Sequence, residues 1–488
     1  SQAMGAVWLG IDLGTSGCRT AAVDDAGTLL ASADRPLLSF RPQPGYHEQD
    51  PEAWKTAVAE ACRATLAQLD QRPIAGVALC GTSGTLLLGD RQGQPRTAAI
   101  MYDDTRAAAR LPAITQAWAA VAERNAYRVQ PTWGLPKLAW LLDQLDEQED
   151  ARLYHCPDLI ASWLVGEATA TDTSHALKTG YDLVGQRWPE AEFEAVGIPL
   201  SVLPPVVRPG SLLGHVCGAA AEDSGLAVGT PILAGMTDGC ASQLASGTLR
   251  PGQWNSALGT TFVLKGVSQD LLHDPAGAVY SHANPDGGWL PGGASNSGAG
   301  ALATEFPNKD LGAMDRASAA RGPTQVVRYP LSAPGERFPF VRPDAEPFQL
   351  GQARDDVEAF SAILQGFAFV ERLSLAYVHA LGADINGSLS FTGGATRSGW
   401  WTQVRADVLG REVRLPRHAE SAVGMAILAA AGSKSVAEAA DRMVRVDRVV
   451  EPRPECTAAY QPIYCRMVDE LERREYISSR LAAVARSV

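Results

Sequence analysis

The 488-residue chain lacks an excess of basic side chains and lacks any cysteine pattern suited to a metal or a disulfide. Its 42 lysine and arginine residues against 54 acidic residues leave a formal net charge of −12. Because no basic excess is available to neutralise phosphates, we expect neither a nucleic-acid nor an anionic-membrane partner. The eight cysteines are scattered without a Cys-x-x-Cys pair, which predicts buried thiols in a reducing compartment.

Long apolar runs and the common nucleotide-binding loops are also missing. No run of 18 apolar residues and no charged-then-apolar leader occurs, which predicts a cytoplasmic protein. Neither GxxxxGK[ST] nor a strand followed by GxGxxG is present, so neither a P-loop nor a dinucleotide site is indicated. Ser1-Gln2-Ala3 ahead of Met4 are set aside as a tag remnant. What the chain does have is 46% hydrophobic residues and 47 glycines, which favour a large α/β enzyme with tight turns.

A strand followed by a glycine-hydroxyl turn occurs twice. The first strand, Val7–Leu13, precedes Gly14-Thr15-Ser16, and the second, at 254–258, precedes Gly259-Thr260-Thr261. Glycine permits close backbone approach, and the N–H and hydroxyl groups can donate to phosphate oxygens. Two such loops facing each other across a cleft would suit a nucleoside triphosphate, whereas two ordinary hairpins are the alternative. The weak repeat predicts two related α/β domains that meet near residues 247–252.

The two copies differ in one carboxylate. Asp12 stands just before the first loop, where the second copy has Ala257. A second isolated carboxylate, Asp238, follows a predicted strand at 231–234 and precedes a predicted helix at 239–246. Asp238 is interpreted either as the cap of that helix or as a general base at the carboxyl end of a strand. A helix N-terminus keeps a carboxylate ionised, which is the state that a base needs.

Two glycine-rich segments follow in the second half. Gly393-Gly394 lie in a turn between a predicted strand and a predicted helix that ends at Val408, and they leave a flat backbone surface for a base and a ribose. The segment GGASNSGAG at 292–300 is a second candidate for close backbone approach. Neither segment is specific by itself.

These motifs, taken in order from Val7 to Gly432, resemble the FGGY family of carbohydrate kinases. The segments that carry the resemblance are GIDLGTSGCRTAAVD, GYHEQDPEAW, GMTDGCASQLASG, ALGTT, GGASNSGAG, LQGFAFVERL and GGATRSGWWTQVRADVLG. The resemblance implies an α/β fold of two ribonuclease-H-like domains, of the type shared by actin, sugar kinases and heat-shock ATPases, with a cleft between them. It also implies a sugar-binding domain at 4–247 and a nucleotide-binding domain at 248–488.

The resemblance assigns roles position by position, with ATP and Mg²⁺ as cofactors. Asp238 matches the general base, and Asp12 matches the carboxylate near magnesium and the sugar. The phosphate and nucleotide positions are Gly14, Thr15, Ser16, Thr260, Gly298 and, on the adenine side, Gly394. Ser398 stands where the family usually has an asparagine that contacts adenine. The resemblance leaves a homodimer open.

The turn Thr82-Ser83-Gly84 decides the expected sugar. Xylulose kinases typically carry a Gln-Met-His stretch here, and the present turn looks more like that of D-ribulose kinases, with Thr82 and Ser83 as sugar contacts. We therefore expect ATP-dependent phosphorylation of a pentulose, D-ribulose, at its terminal hydroxyl. The alternatives are a D-xylulose or other polyol kinase, a degenerate kinase without transfer activity, and a nucleotide-gated binding protein. Against the last, the chain is expected to end in one helical segment, 464–488, without a β-rich peptide-binding domain.

Overall fold

The computed structural model describes residues 5–488, and Ser1–Met4, which include the expected tag remnant, lie outside the described residues. The chain forms two compact units. Unit 1 consists of the described residues up to Leu249 together with His282–Gly287 and His418–Arg445. Unit 2 consists of Arg250–Ser281, Gly288–Arg417 and Val446–Val488. The predicted limits 4–247 and 248–488 differ from this partition in the two returning segments, and as functional domain limits they stay a prediction.

The strands are numbered in chain order. They are β1 Val7–Leu13, β2 Gly17–Asp24, β3 Leu29–Pro36, β4 Glu48–Gln49, β5 Ile74–Gly81, β6 Leu86–Gly89, β7 Ala99–Ile100, β8 Arg152–His155, β9 Thr171–Asp172, β10 Val206–Val207, β11 Leu212–His215, β12 Pro231–Leu233, β13 Trp254–Leu258, β14 Phe262–Gly266, β15 Tyr280–Ala283, β16 Trp289–Ser295, β17 Val327–Tyr329, β18 Phe348–Leu350, β19 Leu389–Thr392, β20 Val413–Pro416 and β21 Val446–Val450.

The helices are numbered likewise. They are α1 Pro51–Leu66, α2 Leu111–Ala117, α3 Ala119–Asn125, α4 Gly134–Asp143, α5 Cys156–Val165, α6 Thr173–Ala176, α7 Glu190–Ala195, α8 Gly218–Ser224, α9 Asp238–Ala245, α10 Gly300–Glu305, α11 Leu311–Arg321, α12 Asp356–Ala380, α13 Gly399–Leu409, α14 Ser421–Ala431, α15 Val436–Met443, α16 Pro454–Arg473 and α17 Ser479–Ser487. Short 3-10 turns cover Ala108–Arg110, Leu177–Thr179, Leu200–Val202 and Gly394–Arg397.

Unit 1 is built on a six-stranded sheet in the order β11-β12-β5-β1-β2-β3. β1 pairs antiparallel with β2 and parallel with β5, and β5 pairs parallel with β12. In β1 the alternate residues Val7, Leu9 and Ile11 are buried on one face of the sheet, and Gly10 is buried on the other, as expected for a strand covered on both faces. α1 begins at Pro51 because Asp50 accepts a hydrogen bond from the Glu52 N–H, which confirms the predicted Asp-Pro helix start.

Unit 2 is built on a seven-stranded sheet in the order β15-β16-β14-β13-β19-β20-β21. Helix α12 is its longest element and starts where Asp355 accepts a hydrogen bond from the Glu358 N–H. Among residues 5–488, α12 is the one helix long and apolar enough to cross a membrane, and 89% of its most apolar window is buried within the protein. That burial is typical of a core helix.

Helix α14 reaches unit 1 from a distant part of the chain. A Cβ on Gly10 of β1 would lie 1.7 Å from the Ala422 carbonyl oxygen, and one on Gly424 would lie 1.8 Å from the Ala241 carbonyl oxygen. Glycine at both positions therefore lets the backbone of α14 touch β1 and α9 directly. This contact explains why 418–445 joins unit 1, which the sequence did not predict.

The end of the chain corrects one expectation. The predicted single helical segment at 464–488 is wrong in its bounds, because α16 already begins at Pro454 and ends at Arg473, and α17 follows at Ser479–Ser487. Glu475, between the two helices, adopts a left-handed φ of 59°, which a continuous right-handed helix does not allow.

Candidate active site

Three neighbouring parallel strands of unit 1 end at one edge of its sheet. In the register of β1 and β5, Asp12 lies opposite Cys80 and Leu13 opposite Gly81. Beyond β12, Thr237 forms a parallel bridge with Gly81. Asp12, the turn that follows β5 and the residues that follow β12 are thus brought together, at the place where open α/β sheets hold their ligands.

Asp12 is a partly buried carboxyl group with an unusual pKa. Burial is the largest cause and the negative charge of Asp238 the second, and together they raise the pKa of Asp12 to about 7. The Cys80 thiol, which donates to Asp12 Oδ1 at 3.5 Å, lowers it only in part. Two carboxylates that repel each other at a sheet edge favour a cation between or beside them.

The carboxylates fit a magnesium ion that comes with its nucleotide. No cluster of three or more histidine, cysteine or acidic residues able to hold a metal occurs in residues 5–488. Mg²⁺ is commonly held by one or two carboxylates together with substrate phosphates and water, rather than by an all-protein cage. The donor set fits this description, since two carboxylates, Asp12 and Asp238, lie close enough for the charge of one to act on the other.

Asp238 is the first residue of α9, and the N-cap position belongs to Thr237. One carboxylate oxygen of Asp238 accepts from the Gly239 N–H at 2.8 Å. Its main-chain oxygen accepts from the Ser421 hydroxyl of α14, also at 2.8 Å. The interpretation of Asp238 as the N-cap is therefore wrong, and α14 fixes the helix turn that carries its side chain.

The loop Gly14-Thr15-Ser16 is held through its backbone. Gly14 N–H donates to the Gly17 carbonyl at 3.0 Å, and the Gln49 side-chain amide donates to the Thr15 carbonyl at 2.7 Å. Gln49 is itself held, because the buried Trp54 indole donates to its Oε1 at 2.8 Å. These bonds leave the Ser16 side chain exposed and that of Thr15 partly exposed, so both hydroxyls are available to a ligand.

The turn after β5 presents one buried hydroxyl without a partner. The Ser83 Oγ atom is buried and makes no hydrogen bond, whereas the hydroxyls of Thr82 and Thr85 bond to each other. Lys137, whose side chain is fully buried, supports the turn by donating to the Gly84 carbonyl at 2.9 Å and to the Met101 carbonyl at 2.6 Å. Burial lowers the pKa of Lys137 to about 7. A buried hydroxyl without a partner is costly, which favours a ligand hydroxyl at Ser83.

Sequence reasoning missed Lys137 and a buried histidine, His175. The Asp172 carboxylate accepts from the His175 backbone N–H and lies 2.8 Å from its Nδ1. The signal was present in the sequence as Asp-Thr-Ser-His, which begins at the last residue of β9, where Asp172 is the N-cap of α6.

Unit 2 brings together the predicted nucleotide positions. A Cβ on Gly298 would lie 1.9 Å from the Thr260 carbonyl oxygen, and Ala299 N–H donates to the Gly259 carbonyl at 2.8 Å. Directly after the neighbouring parallel strand β19, a Cβ on Gly393 would lie 2.4 Å from the Leu258 carbonyl oxygen. Gly394 beside it is exposed, with nothing within 4 Å of an added Cβ. The three glycine-containing loops therefore meet at the carboxyl end of β13.

Ser398 has partners of its own in unit 2. As the N-cap of α13 it accepts from the Trp401 N–H at 3.0 Å, and it donates to Asp315 Oδ2 at 2.7 Å. Burial raises the pKa of the Asp315 carboxyl group. The adenine contact of Ser398 stays a prediction, and Asp315 lies beside the hydroxyl that would make it.

Both halves of the chain match models of one protein family. Residues 7–245 match the N-terminal domain, and residues 255–433 the C-terminal domain, of the FGGY family of carbohydrate kinases. A xylulose kinase of Streptomyces coelicolor is 30% identical over 502 residues, which cover 99% of this chain and 97% of the relative. An autoinducer-2 kinase of Salmonella typhimurium is 28% identical over 498 residues, covering 93% and 92%.

A solved structure agrees with these relatives. The xylulose kinase of Rhodospirillum rubrum superposes with a TM-score of 0.85 at 26% identity, covering 96% of this chain and 98% of that protein. The two-domain α/β sugar-kinase fold expected from the sequence is confirmed by this likeness.

Proposed function

Because the chain belongs to the FGGY family of carbohydrate kinases and is a sugar kinase, we propose that it transfers the γ-phosphoryl group of ATP to the terminal hydroxyl of a pentulose, with D-ribulose preferred. The observation that carries this proposal is the meeting of Asp12, Asp238 and the turn of Ser83 at one sheet edge. A cytoplasmic location and a homodimer accompany it as expectations only.

Asp238 is proposed as the general base. Its carboxylate accepts the proton of the sugar hydroxyl while that oxygen bonds to the γ-phosphorus and the bond from phosphorus to the bridging oxygen breaks, which releases ADP. Phosphoryl transfer passes through a loose transition state, so that positioning and charge neutralisation matter more than base strength. An ordinary carboxylate at the start of α9 is sufficient for this task.

Asp12 is proposed as the residue that holds Mg²⁺. When bound with ATP, the ion supplies neutralisation of the phosphate oxygens. Asp12 must lose its proton to bind a cation, and its pKa near 7 makes that loss easy at neutral pH. We assign Thr15 and Ser16 to phosphate contacts because their hydroxyls are accessible at the same sheet edge, and Gly14 because it has no side chain to keep a phosphate from the backbone of the loop.

The nucleotide contacts in unit 2 are proposed at its three adjoining loops. Thr260 and Gly298 would contact phosphates, and exposed Gly394 would lie against the adenine. Ser398 and Asp315 would then be the polar groups nearest to the base. Glycine at 394 supports this assignment, because a flat backbone surface admits a planar ring.

The preference for D-ribulose is proposed from the Ser83 turn. Buried hydroxyl groups select a sugar through hydrogen bonds to its individual hydroxyls, and each bond lost costs about 1–3 kcal/mol. D-Ribulose and D-xylulose differ at one carbon, so one contact is enough for a preference of roughly ten- to a hundred-fold. D-Xylulose is the second candidate, since relatives such as the one from Streptomyces coelicolor are named xylulose kinases.

A substrate panel tests this proposal. ADP release is followed with D-ribulose, D-xylulose, L-ribulose, glycerol and no sugar, in wild type and in Ser83→Ala. We expect the highest kcat/KM with D-ribulose, and a preference over D-xylulose that falls in Ser83→Ala while KM for ATP is unchanged. A higher kcat/KM with D-xylulose or glycerol would overturn the substrate assignment. ATP hydrolysis that no sugar stimulates would support a binding protein or a degenerate kinase instead.

A further inference from the structure

Two buried histidines of unit 1 stack on each other but differ in their bonding. The rings of His155 and His175 lie 5.7 Å apart at 29°. In His155 both nitrogens have partners, since Nε2 lies 2.9 Å from the Thr179 hydroxyl and Nδ1 lies 2.9 Å from Asp158 Oδ2. In His175, which is 2% exposed, Nδ1 lies 2.8 Å from Asp172 Oδ2 and the buried Nε2 has no partner.

The backbone places His175 beside the residue that precedes Asp238. The hydroxyl of Ser174 accepts from the Thr237 N–H at 3.0 Å and lies 3.2 Å from the Thr237 hydroxyl. Thr237 in turn bridges to Gly81, the last residue before the Ser83 turn. Burial, the largest cause, lowers the pKa of His175, but the negative charges of Asp172, Asp158 and Asp238, in that order, raise it above its ordinary value. Asp238 is thus close enough for its charge to act on the ring.

We propose that Nε2 of His175 binds a hydroxyl group of the sugar substrate, together with the Ser83 hydroxyl, and helps to determine which pentulose is accepted. This inference rests on the proposed function. A buried ring nitrogen without a partner destabilises the free protein, and a substrate hydroxyl would supply the missing hydrogen bond. The turn at 82–84 contains no histidine. His175 of α6 would therefore supply the imidazole that contacts the sugar.

The Asp172 carboxylate defines what the ring can do. Because Nδ1–H donates to the carboxylate, Nε2 accepts a hydrogen bond in the neutral ring and donates one in the protonated ring. A sugar hydroxyl is both donor and acceptor and therefore suits either form. Both Ser83 and His175 fix one polar atom each, which together can distinguish the configuration at a single carbon.

Steady-state kinetics of His175→Asn and His175→Leu test the inference. We expect both variants to raise KM for the best wild-type sugar by roughly ten- to a hundred-fold and to reduce the preference between D-ribulose and D-xylulose. KM for ATP should stay within two-fold. His155→Gln is the matched control, because it alters the stacked ring whose nitrogens are already occupied, and it should leave KM for the sugar within about two-fold of wild type.

A merely structural role gives a different result. His175→Asn and His155→Gln would then both lower the unfolding temperature and leave the sugar KM and the preference unchanged, which would overturn the inference. If the variants fold poorly, nuclear magnetic resonance of wild type with ¹⁵N-labelled histidine tests the inference without any substitution. Saturating pentulose without ATP should shift the Nε2 signal of one buried histidine ring. If none of the eight histidines shows such a shift, the inference is contradicted.

The same kinetics separate this inference from the proposed function. The substrate preference of wild type tests the pentulose assignment. The ratio of variant to wild-type KM, measured with whichever sugar is best, tests His175. A polyol as best substrate with a raised KM in His175→Asn would thus overturn the former and support the latter.

Discussion

Replacing Asp12 by asparagine is expected to stabilise the free protein while it removes activity. The wild-type pKa is about 7, against about 3.9 in an unfolded chain. The native state therefore holds the Asp12 proton more tightly, so the free energy of unfolding falls as pH rises from about 4 to about 7. A pKa difference of three units corresponds to a loss of about 4 kcal/mol in the free energy of unfolding. This loss is complete above pH 7 and absent below about pH 4. Asparagine removes this cost because it does not ionise.

Urea unfolding at two pH values measures the effect. At pH 8 we expect Asp12→Asn to be about 2–4 kcal/mol more stable than wild type, and at pH 5 only about 1.5 kcal/mol. Asp34→Asn is the control, because its side chain on β3 is 77% exposed, and it should stay within about 0.5 kcal/mol at both pH values. Asp12→Asn, unlike the control, should also lose turnover, as expected where a destabilising group in a site serves function.

A stability difference between Asp12→Asn and wild type that does not change with pH would contradict this prediction. If Asp12→Asn were less stable than wild type at pH 8, repulsion and burial could not be the dominant forces on this carboxyl group. Addition of Asp238→Asn should reduce the gain from Asp12→Asn, since part of the shift comes from the charge of Asp238.

Three further predictions concern the nucleotide and the packing of unit 1. Gly394→Ala should fold like wild type because its Cβ meets nothing within 4 Å, yet raise KM for ATP several-fold, and an unchanged KM would remove Gly394 from the adenine site. Gly424→Ala should be expressed mostly insoluble, since its Cβ would lie 1.8 Å from the Ala241 carbonyl oxygen, and normal solubility and melting would contradict the close contact of α14 with α9. Binding of Mg-ATP at pH 7 should release about half a proton from Asp12. This release would be measured as a binding enthalpy that depends on the buffer in wild type but not in Asp12→Asn. An equal buffer dependence in both proteins would argue against metal binding at Asp12.

Local patterns in the sequence were sufficient for the strands that end at the site. β1 was predicted with its observed bounds because Val7–Leu13 is a buried apolar run ended by a glycine turn. Asp238 was found for the same reason, as a carboxylate between a short apolar strand and a helix. The strand β1 and Asp238 lie far apart in the chain, but each is marked by the residue types of its immediate neighbours.

Long-range contacts were not predictable in this way. The packing of α14 on Gly10 joins two segments whose own patterns carry no sign of each other. Lys137 and His175 lie in a helix-rich stretch where a buried polar residue looks like one more residue of a helix face. Their importance follows from what surrounds them, namely the Gly84 carbonyl and the Asp172 carboxylate.

Transfer of phosphate from ATP to a pentulose, with Asp238 as base, can be followed by ³¹P nuclear magnetic resonance. Wild type and Asp238→Asn are each incubated with Mg-ATP and D-ribulose. We expect wild type to give a sugar phosphate monoester signal and ADP in equal amounts, and Asp238→Asn to form the sugar phosphate at least a hundred-fold more slowly while it still binds sugar and ATP. Inorganic phosphate in place of a sugar phosphate, or a variant within a few-fold of wild type, would contradict this expectation.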